Sequence, residues 1–239
     1  MHRNTSAARI RTTTLATCLG IAGVAIAGCA EAGSVVVEVL PPRTSITCAA
    51  PAKTDPALGR GVLDVLGTEE HHGGYVADLR LSSTTTDAHV TGVTIEYDLP
   101  EGASGAVTTA ATKASGDVVV GDVLLLGEDD DLRQAVLQEV ELLPRAFALV
   151  LADDDSLDLS QTEFARVGVT ITPIIEGGEG VEGVEAKGSG FAIDVCKGCL
   201  IDPPAACPDE GESARNLAVC RPGQDTPSFS CVQAQAGVP

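Results

Sequence analysis

The sequence predicts a mainly β protein: one antiparallel β-sandwich with a single short helix and a disulfide-stapled C-terminal tail. Three observations lead there. Four segments alternate apolar and polar residues with period two. Gly- and Pro-bearing turn clusters separate the segments. After Val195 the composition shifts to Cys, Pro, Gly and Ala. Period-two alternation means one buried and one wet face, which is the logic of an antiparallel sheet.

Taken in chain order, the first strand candidate is Val35 to Leu40, ended by Pro41-Pro42 and followed by a loop holding Cys48 and the stretch Ala49 to Pro56. Val62 to Leu66 is a shorter candidate. Tyr75, Ala77, Leu79 and Leu81 alternate with Asp78 and Arg80, and Val93, Ile95, Tyr97 and Leu99 alternate with Thr94, Glu96 and Asp98. Val118 to Leu126 and Ala146 to Ala152 are more continuously apolar and read as central strands. Val167, Val169 and Ile171, then Phe191, Ile193 and Val195, complete the set. His71-His72-Gly73-Gly74, Pro100-Glu101-Gly102 and Glu176-Gly177-Gly178 supply turns. The helix is expected where Leu132, Ala135, Val136, Val140 and Leu143 follow Asp129-Asp130-Asp131, with Pro144 as its stop. A strand over Ala135 to Leu143 is the alternative. Immunoglobulin-like topology is the expected arrangement, although a chain without Trp has no Cys–Trp–Cys pattern.

The core must be built from small aliphatics, because the 239 residues include no Trp, two Tyr and four Phe. Few aromatics also weaken any stacking platform for bases or sugars. Charge points the same way. Beyond residue 28 there are 12 basic against 34 acidic residues, since only Arg3, Arg9 and Arg11 precede that point. Nucleic-acid binding needs Lys and Arg to displace counterions, so it is excluded as the expected partner.

The N-terminus reads as an address. Arg3, Arg9 and Arg11 make a positive start, and the apolar run Leu15 to Gly28 is too short to span a bilayer, which takes about 20 residues. Ala25-Ile26-Ala27 fits an A-x-A cleavage site, which would release a soluble protein. Ile26-Ala27-Gly28-Cys29 resembles the lipobox of bacterial lipoproteins. That resemblance implies cleavage before Cys29 and lipidation of its thiol. Cysteine parity favours it. Cys18 leaves with residues 1–28, and acylated Cys29 leaves six cysteines that can pair completely: Cys48, Cys196, Cys199, Cys207, Cys220 and Cys231. Ala30 stands where the inner-membrane retention signal of lipoproteins is Asp, so outer-membrane sorting is expected in a host with two membranes.

In the tail, Cys196-Lys197-Gly198-Cys199 admits three chemistries. A redox site needs its first Cys at a helix N-terminus, but Pro203 and Pro204 follow closely. Zinc would take Cys196, Cys199, Cys207 and Cys220 as ligands. Structural disulfides are the expected outcome in an exported chain. Of the 15 pairings open to six cysteines, Cys220–Cys231 is the expected short bridge, with Cys48 tying the N-terminal region to the tail.

Other motifs are weighed by their surroundings. Gly178-Glu179-Gly180-Val181-Glu182-Gly183 matches G-x-G-x-x-G, but Glu176, Glu179, Glu182 and Glu185 would repel a pyrophosphate, so an acidic hairpin loop is expected. Asp153, Asp154, Asp155 and Asp158 form the candidate calcium loop, with Glu128 to Asp131 as a second acidic cluster. Neither fits EF-hand register. Glu69-Glu70-His71-His72 reads as a polar turn, His89 as a strand opening, and Ser104 as a serine in a Gly-rich turn that misses the G-x-S-x-G spacing.

The tail order of Cys196-x-x-Cys199, Cys207, Cys220, Pro222-Gly223-Gln224-Asp225 and Cys231, with the Tyr75–Leu79 and Phe191–Val195 strands, resembles uncharacterised lipoproteins of high-GC bacteria such as myxobacteria. The resemblance implies location and disulfides, and no activity. The expected organisation is a signal peptide over 1–28, an anchor with N-terminal strand and loop over 29–60, a sandwich over 61–195 and a cysteine-rich tail over 196–239. The expected function is that of a non-enzymatic, lipid-anchored envelope protein whose partners are the membrane and other envelope proteins. A calcium- or ligand-binding envelope protein and an exported thiol-redox enzyme are the alternatives; no cofactor is expected, calcium belonging to the first alternative.

Overall fold

The computed structural model describes residues 33–43, 47–66, 73–84, 87–126, 133–176, 184–204, 207–210, 212–217 and 219–233. The chain is mainly β, with β1 (Ser34–Val39), β2 (Arg60–Asp64), β3 (Tyr75–Ser83), β4 (Ala88–Asp98), α1 (Gly105–Ala114), β5 (Gly116–Leu125), β6 (Gln134–Leu143), α2 (Arg145–Ala152), β7 (Ala165–Glu176), β8 (Glu185–Lys187), β9 (Ser189–Cys196), β10 (Glu212–Asn216) and β11 (Phe229–Gln233). One sheet runs β6-β3-β1-β8, a second runs β2-β9-β7-β4-β5, and the tail adds a β10-β11 ribbon.

The two larger sheets bury one aliphatic cluster. Val35, Val37 and Val39 of β1 and Leu79 and Leu81 of β3 share it with Val93 and Ile95 of β4, Val167 and Ile171 of β7, and Ile193 and Val195 of β9. The alternation read from the sequence therefore points inward in β1, β3, β4, β7 and β9. The sheets are mixed, not antiparallel throughout: β1 pairs β8 in parallel, and β2 pairs β9 in parallel. This strand order does not establish immunoglobulin-like topology.

Three local expectations are corrected. The segment read as a helix is strand β6, paired antiparallel with β3 from Tyr75↔Leu143 to Ser82↔Gln134. Its helical spacing comes from a bulge. The register shifts between Ala77/Leu79, and Glu139 takes φ 57°. The shift leaves Gln138 and Glu139 both exposed, which breaks the alternation before Val140, so Ala135, Val136, Val140 and Leu143 imitate a helix. Ala146 to Ala152, expected to be a strand, lies in α2, with Phe147, Ala148 and Leu151 buried. Pro144 begins this helix, because a proline is tolerated where the backbone N–H has no intrahelical partner. Val118 to Leu126, expected to be central, is the edge strand β5, with Val119 and Leu124 exposed.

The unexpected α1 starts at Ser104, whose Oγ accepts the Val107 N–H at 3.4 Å. Ser104 is thus an N-cap, not only a turn residue. Register places Ser34, Ser83, Ala88, Leu125 and Gln134 toward one end of the sheets. Tyr75, Leu143, Asp98 and Cys196 lie toward the other, where both helices and the tail are attached. No helix among the described residues is long and apolar enough to cross a membrane.

Candidate functional site

The tail docks on this second end through buried polar groups. Asp64 closes β2, and its carboxylate accepts four backbone N–H groups: Leu66 at 2.9 Å and Gly198 at 2.8 Å on Oδ1, Leu200 at 2.7 Å and Ile201 at 3.0 Å on Oδ2. The side chain is buried, so these bonds compensate the loss of water around a charge. They fold the Cys196–Ile201 turn back over the end of β2.

Gln224 and Asp225 make the second dock. The Gln224 amide accepts the Val76 N–H at 3.0 Å and donates to the Val76 carbonyl at 2.6 Å. It stands in for a strand neighbour where β1 has already ended. Asp225 Oδ1 accepts the Val62 N–H at 2.8 Å, and Tyr75 Oη donates to the same carboxylate at 3.0 and 3.1 Å. Burial pushes the Asp225 carboxyl up, against its accepted hydrogen bonds and the Arg221 charge. Burial and then the Asp225 charge push the Tyr75 phenol well above its usual range. Gly61 makes room for this: a Cβ there would sit 2.1 Å from Tyr75 Oη.

Around this dock lies a crevice of about 410 Å³, lined by residues that include Glu139, Glu141, Cys220, Arg221 and Gln224. Arg221 donates through Nη1 to the Val76 carbonyl at 2.5 Å, and its Nη2 lies 3.7 Å from Glu139 Oε1. Behind it, buried Asp78 receives Arg43 through two bonds of 3.1 Å and the Glu139 N–H at 2.9 Å. The Asp78 hydrogen bond raises the Arg43 pKa above its ordinary value. The β6 bulge that disguised the strand is therefore also what delivers a backbone donor to Asp78. No spacing in the sequence announces this cluster; Asp78 reads only as the polar member of an alternating strand.

The six cysteines beyond residue 29 pair among themselves as Cys48–Cys220, Cys196–Cys199 and Cys207–Cys231. Cys48 does tie the N-terminal region to the tail. The expected Cys220–Cys231 bridge is replaced, because β10–β11 pairing places Cys231 opposite Ala214 within reach of Cys207, while Cys220 reaches across to Cys48. The four-cysteine zinc set is not brought together, since Cys207 and Cys220 lie in different bridges. Cys196 ends a strand, and no helix follows it before Pro203. Two groups of ligand-type atoms come within 4.8 Å among the described residues, Asp64 with Cys196 and Cys199, and Cys207 with Glu212 and Cys231. Their cysteines are bonded as disulfides.

Of the candidate calcium residues, Asp154 is occupied internally. Its Oδ1 accepts the Ser156 N–H at 3.0 Å and hydroxyl at 2.6 Å, and its Oδ2 accepts the Ser104 N–H at 3.2 Å. These bonds, the Ser156 hydroxyl first, lower its carboxyl to about 2. Asp153, Asp155 and Asp158 are exposed. Cys29, residues 1–28, Glu69 to His72, Glu128 to Asp131 and Gly178 to Gly183 lie outside the described residues. His89 sits in β4, 3.4 Å from Asp122 and 3.6 Å from Glu176. Compared with known proteins, the chain matches no family model and no curated sequence.

Proposed function

We propose that this chain is a lipid-anchored protein of the bacterial cell envelope, a non-enzymatic structural or protein-interaction module whose body is a β-sandwich. The observation that carries the reading is cysteine parity. Six cysteines close into three bridges, and the one left in the mature chain is Cys29, at the end of Ile26-Ala27-Gly28-Cys29. Disulfides suit an exported location. Two or more acyl chains would hold the body stably, because each buried CH₂ contributes about 0.8 kcal/mol. In a host with two membranes, Ala30 favours the outer one. The acidic surface suits protein partners and not nucleic acid.

Membrane fractionation with mass analysis of the N-terminal peptide tests this. The natural chain should stay with membranes through a high-salt wash and yield a peptide that begins at Cys29 with acyl mass. Cys29→Ser should wash free. A natural chain recovered in the soluble fraction with Gly28 still attached would refute the anchor.

A further inference from the structure

Between α1 and α2 runs a groove of about 620 Å³, walled mainly by Ala110 and Ala114 of α1 and Ala146, Phe147 and Val150 of α2. That volume falls within the roughly 300–1,000 Å³ of small-molecule sites, which are mostly apolar with few polar groups. The hydroxyl of Thr109 is spent on the Gly105 carbonyl at 2.8 Å. Lys113 remains. It stands exposed in the last turn of α1, lines the groove, and makes no ion pair or hydrogen bond with another described residue. Several cations of the body are committed: Arg43 to Asp78, Arg60 and Arg166 to Asp194, and Arg80 to Glu38. An open ammonium beside an apolar groove is complementary to an anion that carries a hydrocarbon tail.

We propose that this groove binds a free amphipathic carboxylate of the fatty-acid class, its alkyl chain along Ala110, Ala114, Phe147 and Val150 and its head on Lys113 Nζ. A dispersed molecule fits better than a bilayer lipid. The groove lies at the Tyr75 end of β3, and β3 runs about 27 Å from there to Ser83, which pairs with Val35 close to the first described residue, Gly33. That choice of source rests on the acylation of Cys29; the groove and its lysine do not.

The test uses the whole mature chain with Cys29→Ser, exported so that the disulfides form. Calorimetry would titrate it with dodecanoate below the micellar range, with dodecyltrimethylammonium and with phosphatidylcholine–phosphatidylglycerol vesicles. One dodecanoate per chain is expected, weakened at least tenfold by Lys113→Glu. Ala146→Phe, at an exposed position on the groove rim, should abolish binding while leaving the melting temperature close to that of the parent. No dodecanoate heat, equal binding of the cationic surfactant, or affinity unmoved by both substitutions would overturn the site. Vesicle binding that Lys113→Glu removes would overturn the free ligand in favour of a membrane surface. Dodecanoate binding by a chain that proves never to be acylated would uphold the site and sink the anchor.

Discussion

Replacing Asp64 by asparagine isolates what holds the tail to the body. The carboxylate serves two N–H groups on each oxygen, at 2.7 to 3.0 Å, in a buried position. An amide keeps one acceptor. Turned either way, it sets an NH₂ against two backbone donors: Leu66 and Gly198, or Leu200 and Ile201. Each buried donor left without an acceptor costs about 1–3 kcal/mol, so Asp64→Asn should cost about 2–6 kcal/mol. At about 2–4 °C per kcal/mol for a chain of this size, a cost near the middle of that range lowers the melting temperature by about 8–16 °C. Urea and thermal melts of the oxidised mature protein measure the cost. Amide exchange should show lost protection at one of those two N–H pairs ahead of the β3 and β4 amides. A cost below about 1 kcal/mol, with all four N–H groups still protected, would refute the claim that this carboxylate organises the turn.

Two carboxyls should show opposite pH behaviour. Asp154 is held below its ordinary value, so its contribution is present above about pH 4 and lost as pH falls toward about 2; comparing urea melts of the parent and Asp154→Ala over that interval should show the difference closing at the acid end. Asp225 is held above its ordinary value, so the folded state keeps its proton more tightly and stability falls as pH rises through the shifted value. Asp225→Asn should flatten that fall in melts between pH 4 and 7, and an unchanged slope would contradict the burial argument. Gly61→Ala would put a Cβ 2.1 Å from Tyr75 Oη, so Tyr75 must leave Asp225; a lower melting temperature and a lost perturbation in ultraviolet titration of the phenol should report it.

Much of the fold was legible because burial on one face writes itself as alternation. Val35 to Val39, Tyr75 to Leu81, Val167 to Ile171 and Phe191 to Val195 all read as the strands they are. Where the ladder is irregular, the pattern misleads. Two exposed residues in the β6 bulge turn a strand's spacing into a helix's, and the Glu139 N–H freed there meets Asp78 on the neighbouring strand. Ala146 to Ala152 carries a continuous apolar run that either element can bury, and Pro144, read as the stop of a helix, starts one. The tail docks were illegible for a different reason: Asp64, Tyr75, Gln224 and Asp225 are scattered along the chain, and nothing local marks them as partners.

Residue order alone determined the two-sided strands, the acidic balance and the spacing of the cysteines, because each depends on identity or near-neighbour spacing. Only tertiary structure decided which cysteines bond, which strands run parallel, and which acids become structural. Those outcomes depend on groups far apart in the chain being brought within hydrogen-bond or bonding distance, as Cys48 and Cys220 are across 172 residues.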